Sequence, residues 1–141
     1  MSREVCGDEE DFVRGITSAQ FDDGELSSEF FSGKAVSVSR LCVANERDSV
    51  ALLKEILERS PSGVSWKGYA TFGHSALKLK TAEYVAGNKS LKDARFTIWV
   101  EKDATTENPG HAEVMPRVPR GLAKHLLHEI DFFRLCLETA A

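Results

Sequence analysis

The chain has 141 residues, of which 42% are hydrophobic and 28% charged, and its formal net charge is −4. This length and composition are typical of one globular domain and exclude a disordered or fibrous chain. The negative charge argues against general nucleic-acid binding, which requires clustered Lys and Arg. No apolar run reaches the roughly 20 residues that cross a bilayer, so we expect no membrane association.

The N-terminal eleven residues are acidic and lack the apolar stretch of a secretory signal. We therefore interpret residues 1–11 as a solvated, flexible arm and residues 12–141 as a single domain. The three cysteines are odd in number and widely spaced, which favours reduced thiols, two of them buried, over a disulfide framework or a zinc site. These features favour a cytoplasmic location. The cysteines are Cys6, Cys42 and Cys136.

The first half of the domain is predicted to contain two strands. One begins at Phe12 and contains Arg14, and a turn follows at Asp22-Asp23-Gly24. Ser27 is predicted to cap one helical turn that ends at Gly33. Residues 35–41 alternate as a half-buried strand does, with Val36 and Val38 on one face and Ser37 and Ser39 on the other.

Three helices and three more strands complete the predicted order. Asn45 is a good N-cap for a helix that ends near Ser60-Pro61, because Pro61 disfavours helical geometry at the residue before it. The order continues with a strand over 66–72, a helix over 75–86, a strand over 95–101, a polar loop over 103–111 and a short strand over 112–115. One apolar stripe then predicts a continuous last helix. Its residues are Leu122, Leu126, Ile130, Phe133 and Leu137.

This order lacks the regular βαβ repeat of a doubly wound fold. The economical solution is an α+β fold, a small, mainly antiparallel sheet with two or three helices packed on it.

One polar motif, Asn108-Pro109-Gly110-His111-Ala112, combines a tight bend with a histidine at the start of a strand. A histidine in this position could act as a general acid or base, because its side chain titrates nearest neutrality. It could equally hydrogen-bond the backbone and lock the turn. The sequence leaves both interpretations open.

The motif E-N-P-G-H-A-E-V at 107–114 resembles an Asn-Pro-x-His-Ala motif of a loose group of small, mostly uncharacterised bacterial proteins. The upstream blocks at 22–31 and 36–40 resemble further parts of the same pattern. The chain departs from it at Gly110 and in an extended 89–93 loop. The resemblance supplies no activity, but it implies a bacterial or mobile-element origin and a common location for six residues. These are Arg14, Ser27, Ser28, Ser37, Asn108 and His111.

An arginine on an early strand and serines on the next also resemble the layout of ADP-ribosyltransferase-like folds. That resemblance implies that Arg14 contacts a phosphate, that Ser37 or Ser39 orders the site, and that His111 or Glu113 lies near the reacting ribose. An arginine suits phosphate because its planar fork donates paired hydrogen bonds. The same residues on strands are also common as solvent-facing side chains.

Other groups of residues in the sequence give weaker indications of a functional site. His125, His128 and Asp131 could bind a metal on the last helix, but a solvated face with His125 near Glu129 fits their spacing better. The chain has no nucleotide-binding glycine motif and no nucleophile elbow. We therefore expect no cofactor and no metal.

Two functions follow. The first is an accessory, partner-binding protein, immunity- or antitoxin-like, of a bacterial conflict or antiviral defence system. Its acidic charge suits a basic protein partner, with the arm 4–11, Trp66 and Tyr69 as contacts. The alternative is a small enzyme acting on a nucleotide or nucleic acid, or a toxin. It requires Arg14 and His111 to converge in one pocket.

Overall fold

A computed structural model gives the fold and describes residues 3–22, 25–32, 36–61, 63–88, 96–129 and 132–138. Several predicted features lie outside these residues: the centre of the turn at 22–24, Gly33, the 89–93 loop, Ile130 and Asp131. Within the described ranges, no helix combines the length and the apolar character that crossing a membrane requires.

Eight strands are present in the described chain, and six of them form one antiparallel sheet. The strands are β1 Asp11–Thr17, β2 Phe21–Asp22, β3 Glu25–Leu26, β4 Val36–Arg40, β5 Trp66–Gly73, β6 Trp99–Lys102, β7 His111–Met115 and β8 Phe133–Leu137. The sheet has the order β6-β7-β4-β1-β5-β8, while β2 and β3 form a separate pair. All the sheet pairings are antiparallel.

Three helices belong to the described residues, α1 Glu46–Arg59, α2 His74–Ala86 and α3 Arg120–His128. Asn45 caps α1 as predicted, since its side chain accepts a hydrogen bond from the Asp48 backbone N–H at 2.8 Å. The α2 helix covers the predicted span 75–86. Together with the sheet, these helices confirm the predicted α+β class.

The two faces of the sheet are covered differently. The main core lies on the face that carries Phe12, Ile16 and Val38, where α2, α3 and the aromatic pair Phe30 and Phe31 pack. On the opposite face, α1 packs on β1 and β5. Because side chains alternate along a strand, neighbouring residues of β1 and β4 point to these different environments.

The predicted continuous last helix is wrong. The α3 helix ends at His128, and residues 133–137 form β8, which pairs with β5. Phe133, Leu135 and Leu137 fit a period of two as well as a helical stripe, so the pattern alone is ambiguous. Pairing with β5 satisfies backbone groups that a helix would have left unpaired at the sheet edge.

The acidic N-terminal segment packs on the sheet, in contrast to the predicted solvated arm. The Cys6 N–H donates to the Val100 carbonyl at 2.8 Å and the Lys102 N–H donates to the Glu4 carbonyl at 2.7 Å. Cys6 is buried, and Glu10 is only 7% exposed. The segment is held there because its backbone pairs with the outer edge of β6 and because basic side chains neutralise its carboxylates.

Candidate functional site

The Asn108 turn is held by hydrogen bonds at both ends of the asparagine side chain. Its Nδ2 donates to the Ser39 hydroxyl at 2.8 Å, and its Oδ1 accepts from the Gly110 backbone N–H at 3.2 Å. The Asn108 carbonyl accepts from the His111 backbone N–H at 3.0 Å. Asn108 and Ser39 are both buried. Their polar groups are therefore engaged in fixing the turn to β4, as the structural interpretation of the motif requires.

His111 is half-buried beside Asp103. Its Nδ1 lies 3.0 Å from the Asp103 carbonyl oxygen and 3.1 Å from the Asp103 carboxylate Oδ2. Both neighbours are acceptors, so Nδ1 carries the proton and donates. The same contact fixes the ring orientation and leaves Nε2 as the second ring nitrogen, which makes no hydrogen bond within the described residues.

Three carboxylates gather next to His111 on the same end of the sheet. Glu101 pairs with Glu113 across β6 and β7, and Asp103 follows β6 directly. The Arg3 guanidinium lies 3.4 Å from Glu113, 3.6 Å from Asp103 and 3.9 Å from Glu101. We call Glu101, Asp103, His111 and Glu113 the acidic face. Like-charged side chains on adjacent strands repel, so a nearby cation stabilises this arrangement.

A divalent cation is a second possible occupant of the acidic face. Ligand atoms of Asp103, His111 and Glu113 lie within 4.8 Å of one another, and nitrogen and carboxylate ligands suit metals such as zinc. However, the guanidinium of Arg3 already supplies positive charge at the two carboxylates. The geometry therefore matches a planar organic cation at least as well as it matches a metal ion.

The structure separates Arg14 from the other predicted catalytic residues. Val13 pairs with Ser39, and Ser39 pairs with His111, so these three side chains share one face. Arg14 follows Val13 on β1 and points to the opposite, core face. There its guanidinium donates to the Phe30 carbonyl at 2.9 Å and to the Ser37 carbonyl at 2.7 Å, and lies 5.2 Å from the Phe30 ring centroid.

The surroundings of Arg14 explain its role. Burial lowers its pKa to about 10, and no carboxylate of the described chain forms an ion pair with it. Its two backbone acceptors join β4 to the 3-10 turn at Ser28–Phe30. Arg14 therefore connects elements of the core, and the single pocket that the enzyme hypothesis requires does not form around Arg14 and His111.

The serines predicted to belong to the site lie in two separate parts of the structure, the 3-10 turn and β4. Ser27 occupies the N-cap position of the 3-10 turn, but its side chain makes no capping hydrogen bond. Its Oγ is buried and has no partner among the described residues. Ser28 lies in the same turn and accepts from the Phe31 backbone N–H at 3.1 Å through its carbonyl. Ser37 and Ser39 lie beside the acidic face, as the cross-strand partners of Glu113 and His111.

The two aromatic residues predicted as partner contacts serve internal packing. The Trp66 ring lies over Gly15, and its Nε1 donates to Glu138 at 3.1 Å. The Tyr69 hydroxyl donates to Glu46 at 2.9 Å. Both side chains are half-buried, and both are held by these contacts within the chain.

The histidines on α3 match the solvated-face prediction only in part, because the Nε2 atom of His125 is buried. His125 Nε2 lies 3.2 Å from Glu129 Oε1, as its spacing predicts, and its ring lies tilted against Tyr84 with centroids 5.1 Å apart. His128 is exposed. Of the three cysteines, only Cys6 is buried, whereas two buried thiols were expected; Cys42 is exposed and Cys136 half-buried.

Sequence reasoning did not assign Arg3, Glu101 or Asp103 to the site. Each looks like an ordinary surface charge in the sequence. The β6–β7 register brings Glu101 and Asp103 to His111, and the pairing of residues 4–6 with β6 brings Arg3 there. A signal was present in the acidic residues two positions apart at Glu101 and Asp103, which strand alternation places on one face. The partner strand was not predictable from that spacing.

Comparisons with protein-family models, with curated proteins and with solved structures find no match to this chain. The site is therefore interpreted from its own geometry.

Proposed function

We propose that the protein is an accessory protein that binds a basic protein partner through the acidic face. The observation that carries the proposal is the position of Arg3, whose guanidinium lies 3.4–3.9 Å from three carboxylates. An intramolecular arginine in this place identifies the chemistry that the face accommodates. An arginine of a partner would find the same carboxylates if it displaced Arg3.

The side chains next to the acidic face also suit a protein partner. Trp99 and Met115 are cross-strand partners on the same face, one step from the Glu101–Glu113 pair. The Trp99 Nε1 donates to Glu101 at 3.0 Å, which fixes the indole beside the carboxylate. Aromatic and methionine side chains beside charged groups are typical of protein interfaces, and an arginine stacks well on an indole.

The cellular setting is part of the same proposal. The small size and acidic charge of the chain, with the bacterial or mobile-element origin that the resemblance implies, fit an immunity- or antitoxin-like protein of a bacterial conflict or antiviral defence system, acting in the cytoplasm. An acidic face complements the basic surface of a nuclease or nucleotide-directed toxin, which must itself attract phosphate.

The alternative, a small nucleotide-directed enzyme, receives less support. It depended on Arg14, Ser37, Ser39 and His111 acting together. Arg14 lies on the core face, and the Ser39 hydroxyl is engaged by Asn108. An acidic face also repels the phosphates of a nucleotide substrate.

Titration calorimetry with an arginine-rich peptide tests the proposal. We expect Glu101→Gln/Glu113→Gln to weaken binding several-fold, and Arg3→Ala to strengthen it because the competing guanidinium is removed. The matched control is Glu55→Gln/Glu58→Gln, which removes two exposed carboxylates from α1. A lysine-rich peptide of equal charge should bind more weakly, since an ammonium lacks the planar fork.

Two results would contradict the proposal. Equal weakening by the α1 control would show that only net charge matters. Unchanged affinity in the Arg3→Ala variant would show that the peptide does not compete for the position of Arg3.

A further inference from the structure

The β8 strand forms one edge of the sheet, and its outward backbone groups are identifiable. The Glu138 N–H donates to the Lys67 carbonyl at 3.0 Å, so this N–H points towards β5. Because N–H direction alternates along a strand, Arg134 and Cys136 also point their N–H groups towards β5. The N–H and carbonyl groups of Leu135 and Leu137 therefore point away from the sheet, where no described strand pairs with them.

The same two residues expose apolar side chains. Leu135 is 42% exposed and Leu137 is 46% exposed, and both lie on the core side of the sheet, opposite α1. An edge with unpaired backbone groups and exposed leucines is a template for another strand. The opposite edge differs, because residues 4–6 already pair with β6.

We propose that β8 pairs with β8 of a second copy of this chain, in an antiparallel dimer whose two-fold axis passes beside Cys136. In this register Leu135 of each copy lies opposite Leu137 of the other, and their outward N–H and carbonyl groups form the hydrogen bonds. A shift by one residue would place outward groups opposite inward ones and lose these bonds.

Charge selects this register among those that keep the hydrogen bonds. It places Arg134 opposite Glu138 of the second copy, twice by symmetry, on the face that carries α1. A shift by two residues places Arg134 opposite Cys136 and loses both charge pairs. Within one copy these side chains are already held in place, Arg134 by Glu46 and Glu138 by Lys54. Little additional ordering of the Arg134 and Glu138 side chains is therefore needed when the second copy binds.

The register also predicts the distance between the Cys136 residues of the two copies. The two Cys136 residues face each other as a non-hydrogen-bonded pair, with Cα atoms about 4.5 Å apart. That separation lies within the range of about 4.4–6.8 Å that a disulfide can span. Diamide, which takes up two electrons and two protons from a pair of thiols, should therefore link the two copies at this residue.

Sedimentation equilibrium is the first test. We expect a dimer mass for the wild-type protein and a monomer mass for Leu135→Pro. Proline at this position removes an outward N–H only, so the bonds between β5 and β8 are kept. Leu137→Lys is a second variant that leaves the backbone intact and should also be monomeric. Thermal unfolding and far-ultraviolet circular dichroism establish that both variants fold.

Diamide crosslinking in a Cys42→Ser background is the second test, because Cys6 is buried. We expect a covalent dimer that disappears in Cys42→Ser/Cys136→Ser and in the folded Leu135→Pro variant. A monomeric wild-type protein would overturn the proposal, as would a dimer that persists in both edge variants. A dimer that fails to crosslink at Cys136 would refute this register. None of these outcomes depends on the acidic face, so this proposal and the proposed function can fail separately.

Discussion

Glu10 and Arg40 form a two-point ion pair, with Arg40 Nε donating to Oε1 at 2.6 Å and Nη2 donating to Oε2 at 3.0 Å. The Gly7 backbone N–H and the Cys42 thiol donate to the same carboxylate. Burial alone would raise the pKa of Glu10, but these hydrogen bonds outweigh it and lower the pKa from 4.5 to about 2. The pair ties the N-terminal segment to the end of β4.

Glu10 should therefore make the protein sensitive to acid. Its folded pKa is depressed, so its contribution to stability is complete above pH 4.5 and is lost as the pH falls through about 2. The contribution at neutral pH is on the order of 3 kcal/mol. In urea denaturation across this range, Glu10→Gln should be less stable at neutral pH and should lose less on acidification. Glu9→Gln, an exposed neighbour, is the control and should keep the wild-type profile.

His74 should be among the polar residues most costly to replace. It is fully buried, its Nε2 accepts from the Val100 N–H at 3.0 Å, and its Nδ1 donates to the Gly7 carbonyl at 3.0 Å. His74→Leu leaves the Val100 N–H without a partner, whereas the Gly7 carbonyl keeps the hydrogen bond from the Glu10 N–H. The replacement should lower the free energy of unfolding by about 1–3 kcal/mol. His128→Leu, at an exposed position, should change it by less than about 0.5 kcal/mol. An equal effect of the two would contradict this assignment.

The hydrogen bond between Ser39 and Asn108 should give a measurable coupling energy. Single replacements Ser39→Ala and Asn108→Ala each orphan a buried polar group, at about 1–3 kcal/mol. In the double variant both partners are absent, so its cost should be smaller than the sum of the single costs by at least about 0.5 kcal/mol. Urea denaturation of the four proteins provides the cycle. Strict additivity would indicate that the two side chains do not interact.

Alanine replacements at Gly68 and Gly63 form a matched pair that tests how closely β8 approaches the backbone of β5. Both glycines have positive φ, +142° and +76°, but only at Gly68 would a Cβ overlap the backbone of Cys136 and Leu137. Gly63→Ala should cost about 1–2 kcal/mol from its left-handed conformation alone. Gly68→Ala should cost clearly more and should raise hydrogen exchange in residues 133–138. Similar losses in the two variants would mean that the close approach of β8 is relieved at little cost.

Local patterns in the sequence predicted most of the fold. The alternation at 35–41 and the capped stripe after Asn45 gave β4 and α1 because in each case propensity, capping and burial agree. The end of the chain was mispredicted because a long-range pairing with β5 competes with a local helical stripe. The N-terminal segment was missed for a similar reason, since its partners Arg40 and Val100 are distant in sequence.

The candidate site was less accessible to prediction. The Asn108 motif was located correctly, and its bend does place His111 at the start of β7. Which residues join it depends on strand register, and one step along β1 sends Arg14 to the core and Val13 to the face shared with Ser39 and His111. A sequence pattern gives the alternation of a strand but not its partner or its register.

The closure of the β6 edge by residues 4–6 limits how this sheet can grow. A chain that offers two unpaired edges can add copies without end and build a fibre. Because residues 4–6 cover the β6 edge, the strand addition that we propose at β8 would leave that edge closed to a third copy. The closure is held by the backbone hydrogen bonds of residues 4–6 and by the Glu4–Lys102 ion pair as well as by Glu10 and Arg40. Only the release of all these contacts would expose a second edge at which copies could add.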